Sequence, residues 1–173
     1  MAAWLVGTAM ACDGWGPGVE RGAPPPNDGL YGVAHGCFAI EGFDGWSAPT
    51  FLAEAGDQLA FTTPDPSGAA RFTLRPSDLG TYLLYDSDER YLIAEQLAEG
   101  WRFSRVATLE SDVSLLDDTF VSPAEWELQI SARDARRFQL RHLQTGLFLT
   151  LTGLTAASQD AAIITLFPAD GCT

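Results

Sequence analysis

Residues 78–95 read DLGTYLLYDSDERYLIAE. Two apolar segments, Tyr82-Leu83-Leu84 and Tyr91-Leu92, flank the polar run Asp86-Ser87-Asp88-Glu89, which is the pattern of two short strands joined by a tight turn. Both apolar signals recur on either side. Upstream stand Phe38-Ala39-Ile40 and Phe51-Leu52; downstream stand Phe138-Gln139-Leu140 and Phe148-Leu149. A third signal, a large apolar residue followed by a spacer and Leu, closes each set at Phe72-Thr73-Leu74, Trp126-Glu127-Leu128 and Ile164-Thr165-Leu166. The same three signals thus occur in the same order three times, the mark of internal repetition.

Each unit supplies two antiparallel strand pairs whose aromatic and Leu side chains fall on one face, because side chains alternate along a strand. No unit alone buries that face. Three units around a common axis do, and closing them into a barrel removes most exposed strand edges. In this arrangement the residues resemble the β-trefoil, particularly its fascin-like branch, over residues 36–172. The resemblance implies an all-β barrel with pseudo-threefold symmetry. The intervals are uneven, 34 residues from Phe38 to Phe72, 44 from Tyr82 to Trp126 and 26 from Phe138 to Ile164, and a β-sandwich is the structural alternative. Ser122-Pro123-Ala124-Glu125 has the features of a helix start, but Trp126, Leu128 and Ile130 alternate, so a turn followed by a strand is expected. The phrases GCFAIEG, DLGTYLLYDSDERYLIAE and LFPADGCT are also similar to the amino-terminal accessory region of secreted bacterial membrane dipeptidase and amidohydrolase-type hydrolases. That resemblance covers this domain and none of a catalytic barrel.

A chain of 173 residues, 46% hydrophobic and 19% charged, suffices for one packed domain, assigned to residues 36–173. Ten basic residues, all Arg, against 23 acidic ones give a net charge of −13, which repels phosphate backbones and anionic membrane surfaces and excludes nucleic acid as an expected partner. Residues 1–12 run MAAWLVGTAMAC. The apolar run is too short to span a bilayer and resembles a lipoprotein signal with Cys12 as the acylated residue, although no Lys or Arg precedes it and Ala9 stands where an aliphatic residue is usual. A buried amino-terminal strand is the alternative. Residues 13–35, which include Pro24-Pro25-Pro26, read as a linker. Of the three cysteines, lipidation of Cys12 leaves Cys37 and Cys172 to pair, or to stand as separate buried thiols. A disulfide requires an oxidising compartment, so the chain is expected to be exported, as a periplasmic or cell-envelope lipoprotein or an extracellular protein, touching a membrane only through the lipid anchor.

The chemistry-bearing residues are sparse. His35 and His142 are the only histidines, and no HExxH, GxSxG, CxxC or P-loop pattern occurs; His142 is expected to be a half-exposed strand residue beside Arg141. Asp86, Asp88 and Glu89 offer oxygen ligands of the kind calcium takes, but the default is a polar hairpin turn. Glu110, Asp112, Asp117, Asp118, Glu125 and Glu127 form an acidic stretch followed by Arg133, Arg136, Arg137 and Arg141; these read as solvated surface or as an electrostatic dock for another domain. Trp46 lies in the Gly- and Pro-bounded GFDGWSAP, residues 42–49, where it either caps the barrel mouth or, with Asp44, offers a stacking face to a sugar ring. The Gln-x-Trp motif of ricin-type sugar-binding trefoils is absent, so carbohydrate binding rests on fold analogy. The expectation is a non-catalytic exported binding or docking module with no metal or cofactor, its partner a glycan or a companion catalytic domain. The alternative is the accessory part of a secreted metal-dependent hydrolase.

Overall fold

The computed structural model describes residues 32–98, 100–107, 123–131 and 134–172. The apolar run, Cys12 and residues 13–31 lie outside the described residues, as do Glu110, Asp112, Asp117, Asp118 and Arg133.

The first repeat forms β1 (Cys37–Phe43), β2 (Thr50–Ala55), β3 (Gln58–Thr63) and β4 (Arg71–Asp78). The second forms β5 (Thr81–Tyr85), β6 (Arg90–Leu97), β7 (Gly100–Ala107) and β8 (Glu125–Ser131). The third forms β9 (Asp134–His142), β10 (Phe148–Leu149), β11 (Leu154–Thr155) and β12 (Ile163–Pro168). Alternation thus prevails over the helix-start signal at Pro123, which occupies a turn ahead of β8.

The outer strands of each unit close a ring. Antiparallel pairings run from β1 to β4, β5, β8, β9, β12 and back to β1, while the inner strands fold as the hairpins β2–β3, β6–β7 and β10–β11. A six-stranded barrel with three hairpins at threefold-related positions is a β-trefoil, not two stacked sheets. The register repeats with the units. Leu74 pairs Leu84, Leu128 pairs Leu140 and Leu166 pairs Ile40; Phe38 pairs Phe72, Tyr82 pairs Trp126 and Phe138 pairs Ile164. All twelve side chains are buried, in two layers, and each contributes roughly 1.5–3 kcal/mol of burial. A third set, Leu52, Leu92 and Leu149, comes from the hairpins, with Phe61, Trp101, Leu151 and Leu154 packed against the same core.

The uneven intervals have a local cause. The link from β3 to β4 is residues 64–70 and that from β11 to β12 is residues 156–162, each containing one 3-10 turn (Pro66–Gly68 and Ser158–Asp160). The equivalent link from β7 to β8 is residues 108–124, more than twice as long. The third hairpin has two residues per strand against six in the first, which shortens the last interval.

Where the chain ends meet, β1 and β12 pair from Phe38↔Pro168 to Phe43↔Ile163, and the Cys37–Cys172 disulfide spans 135 residues beside that seam. Closing a loop of that length removes about 5 kcal/mol of unfolded-chain entropy in the loop-closure account. Val33 is fully buried in the same core, and the His35 N–H donates to the Leu74 carbonyl at 2.7 Å, so the packed unit takes in residues 32–35, which composition assigns to the linker.

Because Leu74, Leu128 and Leu166 occupy equivalent positions, truncating each to Ala should cost about 2–5 kcal/mol, measured by urea unfolding. A loss under about 1 kcal/mol at any one of them would show that the three sites do not share a core layer.

Candidate functional site

The barrel frame is threefold, so the positions where the units differ single out candidate sites. At the end of the first strand of each unit stand Gly42, Asp86 and His142, related by the shared register. Gly42 is required by packing: a Cβ there would lie 2.7 Å from both Leu151 Cδ2 and Phe61 Cε1.

At Asp86 the second unit buries a carboxylate. Its Oδ1 accepts from the backbone N–H groups of Asp88 and Arg90 at 2.9 and 3.0 Å, which shapes the turn into β6. Its Oδ2 lies 3.0 Å from Arg90 and 3.2 Å from Arg105. Arg105 also donates to Glu54 of β2 at 2.7 Å, and Arg90 to Asp88 at 2.7 Å. Two guanidinium groups therefore occupy the ground a hard cation would need, and the turn is a locked hairpin connection, not a calcium loop. Among the described residues, no group of three or more His, Cys, Asp and Glu side chains is placed to hold a metal ion.

At His142 the third unit buries an imidazole completely, which corrects the half-exposed expectation. Its Nε2 lies 2.9 Å from the Pro123 carbonyl and its Nδ1 3.0 Å from Thr145 Oγ1. A carbonyl only accepts, so Nε2 carries the proton and Nδ1 accepts from the Thr145 hydroxyl. The ring packs on Trp126 at 5.0 Å between centroids, and Trp126 Nε1 donates to the Leu92 carbonyl at 3.1 Å. Both ring nitrogens are spent on holding the turn after β9 and the entry to β8, which leaves His142 no free nitrogen for a substrate. His35 is exposed, with a positive φ of 61°. Arg141 donates to Glu127 and to the Gly146 carbonyl, each at 3.1 Å.

The first unit differs from both. Its loop from β1 to β2, at the opposite end of β1 from Cys37, is organised by one side-chain oxygen: Asp44 Oδ1 accepts from Trp46 N–H at 2.8 Å, Ser47 N–H at 2.8 Å and the Ser47 hydroxyl at 2.9 Å. Gly45 takes the positive φ of 94° that this turn needs. The Ser47 N–H above all, then the Trp46 N–H and the Ser47 hydroxyl, hold the Asp44 carboxyl below the usual carboxylate range. Trp46 is 95% exposed, so the barrel-capping expectation is overturned: the turn fixes the backbone while the indole stands out in water. Of the three equivalent loops, one is locked by ion pairs, one by a buried histidine, and one presents an aromatic face. Sequence placed Asp44 and Trp46 together, but the Asp86–Arg105–Glu54 cluster lacked a signal because its members are distant in the chain.

No family model matches the chain, and no curated protein does. Among solved structures it is similar to the crystal structure of a designed 3-fold symmetric protein, ThreeFoil, at 14% identity and a TM-score of 0.47, covering 78% of this chain and 91% of that one. The fold assignment stands on the strand pairings.

Burial holds the His142 imidazole below its ordinary value of 6.5, against the opposing effect of the Pro123 carbonyl. Above 6.5 both folded and unfolded chains leave this ring neutral. Below it the unfolded chain takes up a proton that folded His142 refuses until its own lower value is passed, so stability falls with pH across that window. Chemical denaturation from about pH 7 to about pH 5.5 should show this decline in the parent protein and a flatter profile in His142→Gln; equal slopes would remove His142 as its source.

Proposed function

We propose that the chain is a non-catalytic, exported binding module whose ligand surface is the β1–β2 loop, with Trp46 stacking on the apolar face of a sugar ring and Asp44 accepting from a ring hydroxyl. One observation carries the reading: Trp46 is 95% exposed on a loop held by three hydrogen bonds to Asp44. Exposing an indole to water opposes the hydrophobic effect, and a fixed backbone beneath it reduces the ordering cost of binding. The Cys37–Cys172 disulfide fits an oxidising compartment, and no described helix is long and apolar enough to cross a membrane. Attachment through acylated Cys12 would hold the module at the cell envelope. The second reading, an accessory part of a secreted dipeptidase or amidohydrolase-type enzyme, has weaker support. Its three phrases fall mainly on β1, β5, β6, β12 and the disulfide seam, where fold requirements alone account for the residues.

Screening the purified protein on a glycan array and titrating the hits should give carbohydrate binding that weakens roughly tenfold or more in Trp46→Ala, the scale of one aromatic stacking contact, with unfolding unchanged because the side chain is solvent-exposed. Absence of binding, or equal affinity in the variant, would refute the proposal.

A further inference from the structure

We infer that the Trp46 loop selects a sugar carrying a free ammonium group, of the deacetylated hexosamine class, over neutral and acidic sugars. This rests on the reading of the loop as a carbohydrate surface and adds charge selection to it. All three hydrogen bonds that shape the turn arrive at Asp44 Oδ1, and its own backbone N–H also favours the ionised carboxylate. Several other carboxylates of the fold are paired with arginine: Asp86 with Arg90 and Arg105, Glu95 with Arg102, Glu127 with Arg141 and Glu54 with Arg105. Asp44 pairs with no described Arg. Its ionised form is held by the Ser47 and Trp46 N–H groups, so the negative charge stays in place at neutral and mildly acidic pH.

The loop therefore carries a carboxylate that pairs with no described Arg and an exposed indole, two residues apart in one turn. A cation is attracted to both: electrostatically to the carboxylate, and to the negative face of the aromatic ring, Trp being the strongest of the three aromatics in this respect. An ammonium substituent is carried next to its pyranose ring, so a sugar stacked on Trp46 would bring that charge to the turn that holds Asp44. A uronic, sialylated or sulfated sugar would instead bring like charge to Asp44 within the field of a chain of net charge −13.

The test compares a short β-1,4-linked glucosamine oligomer with its fully N-acetylated counterpart of the same length, by NMR titration of the 15N-labelled protein at about pH 6 and low salt, where the amines are charged. The deacetylated oligomer should bind roughly tenfold more tightly. The preference should disappear in Asp44→Asn, whose amide oxygen still accepts the turn's hydrogen bonds. Both ligands should bind roughly tenfold or more weakly in Trp46→Ala. If the acetylated oligomer binds as well or better, charge selection is wrong while the carbohydrate surface stands. If the deacetylated oligomer binds and Trp46→Ala binds it equally well, the attraction is diffuse and the assignment to this loop is overturned. Binding of neither oligomer overturns the ammonium preference, and a null glycan array separately removes the carbohydrate reading.

Discussion

The antiparallel seam between β1 and β12 is the constraint on which the other features depend. It joins the two ends of the folded chain through six residue pairs from Phe38↔Pro168 to Phe43↔Ile163, beside a disulfide that spans 135 residues. Without it, β1 and β12 would each expose an edge of unpaired backbone groups, and the two core layers would lose one third of their members. With it, no strand of the barrel has a free side in the ring, and the Leu, Phe, Tyr and Trp residues of three different repeats meet at one centre. The disulfide acts on the unfolded chain, shrinking the ensemble that the seam must recruit.

Once the ring is closed, symmetry defines where departures carry information. The core positions Phe72, Trp126 and Ile164 differ in size, and the differences are compensated locally: the large indole of Trp126 packs against His142 and donates to Leu92, where the other two units bond the equivalent Leu52 and Leu149 carbonyls with the Ala70 and Ala162 N–H groups. The end-of-strand positions Gly42, Asp86 and His142 follow the same logic. Burying a carboxylate or an imidazole is costly unless its polar atoms are met, and the partners of Asp86 and His142 come from their own turns and from neighbouring strands. Those two loops are consumed by structural duty. The loop after Gly42 carries no such burden, its turn needing only one oxygen of Asp44, and its indole is left facing solvent.

Much of this architecture was legible in the residues. The aromatic-x-aliphatic signals fall on β1, β5 and β9, the aromatic-Leu pairs on β2, β6 and β10, and the last signals on β4, β8 and β12, because burial on one face of a strand imposes a period of two wherever the strand is. The pairing of Cys37 with Cys172 was legible from parity and position. Contacts created only by ring closure were not: Glu54 and Arg105 are 51 residues apart and pair directly, with Asp86 against the same guanidinium, and His142 is buried because the Pro123 turn and Trp126 of β8 come to it. Trp46 was placed in the right loop with its environment left open between barrel cap and exposed face, since Gly and Pro mark a turn without revealing whether its tip folds inward or stands away from the barrel.

The most direct test of this account is the set of cross-strand nuclear Overhauser contacts in the assigned protein. The trefoil requires backbone contacts in matching register between β12 and β1, β4 and β5, and β8 and β9, centred on the pairs Leu166–Ile40, Leu74–Leu84 and Leu128–Leu140. Observing all three pairings, with β1 also contacting β4, is the predicted result. A β1 with no contacts to β12, or contacts that arrange the strands in two separate sheets, would contradict the closed threefold ring and everything derived from it.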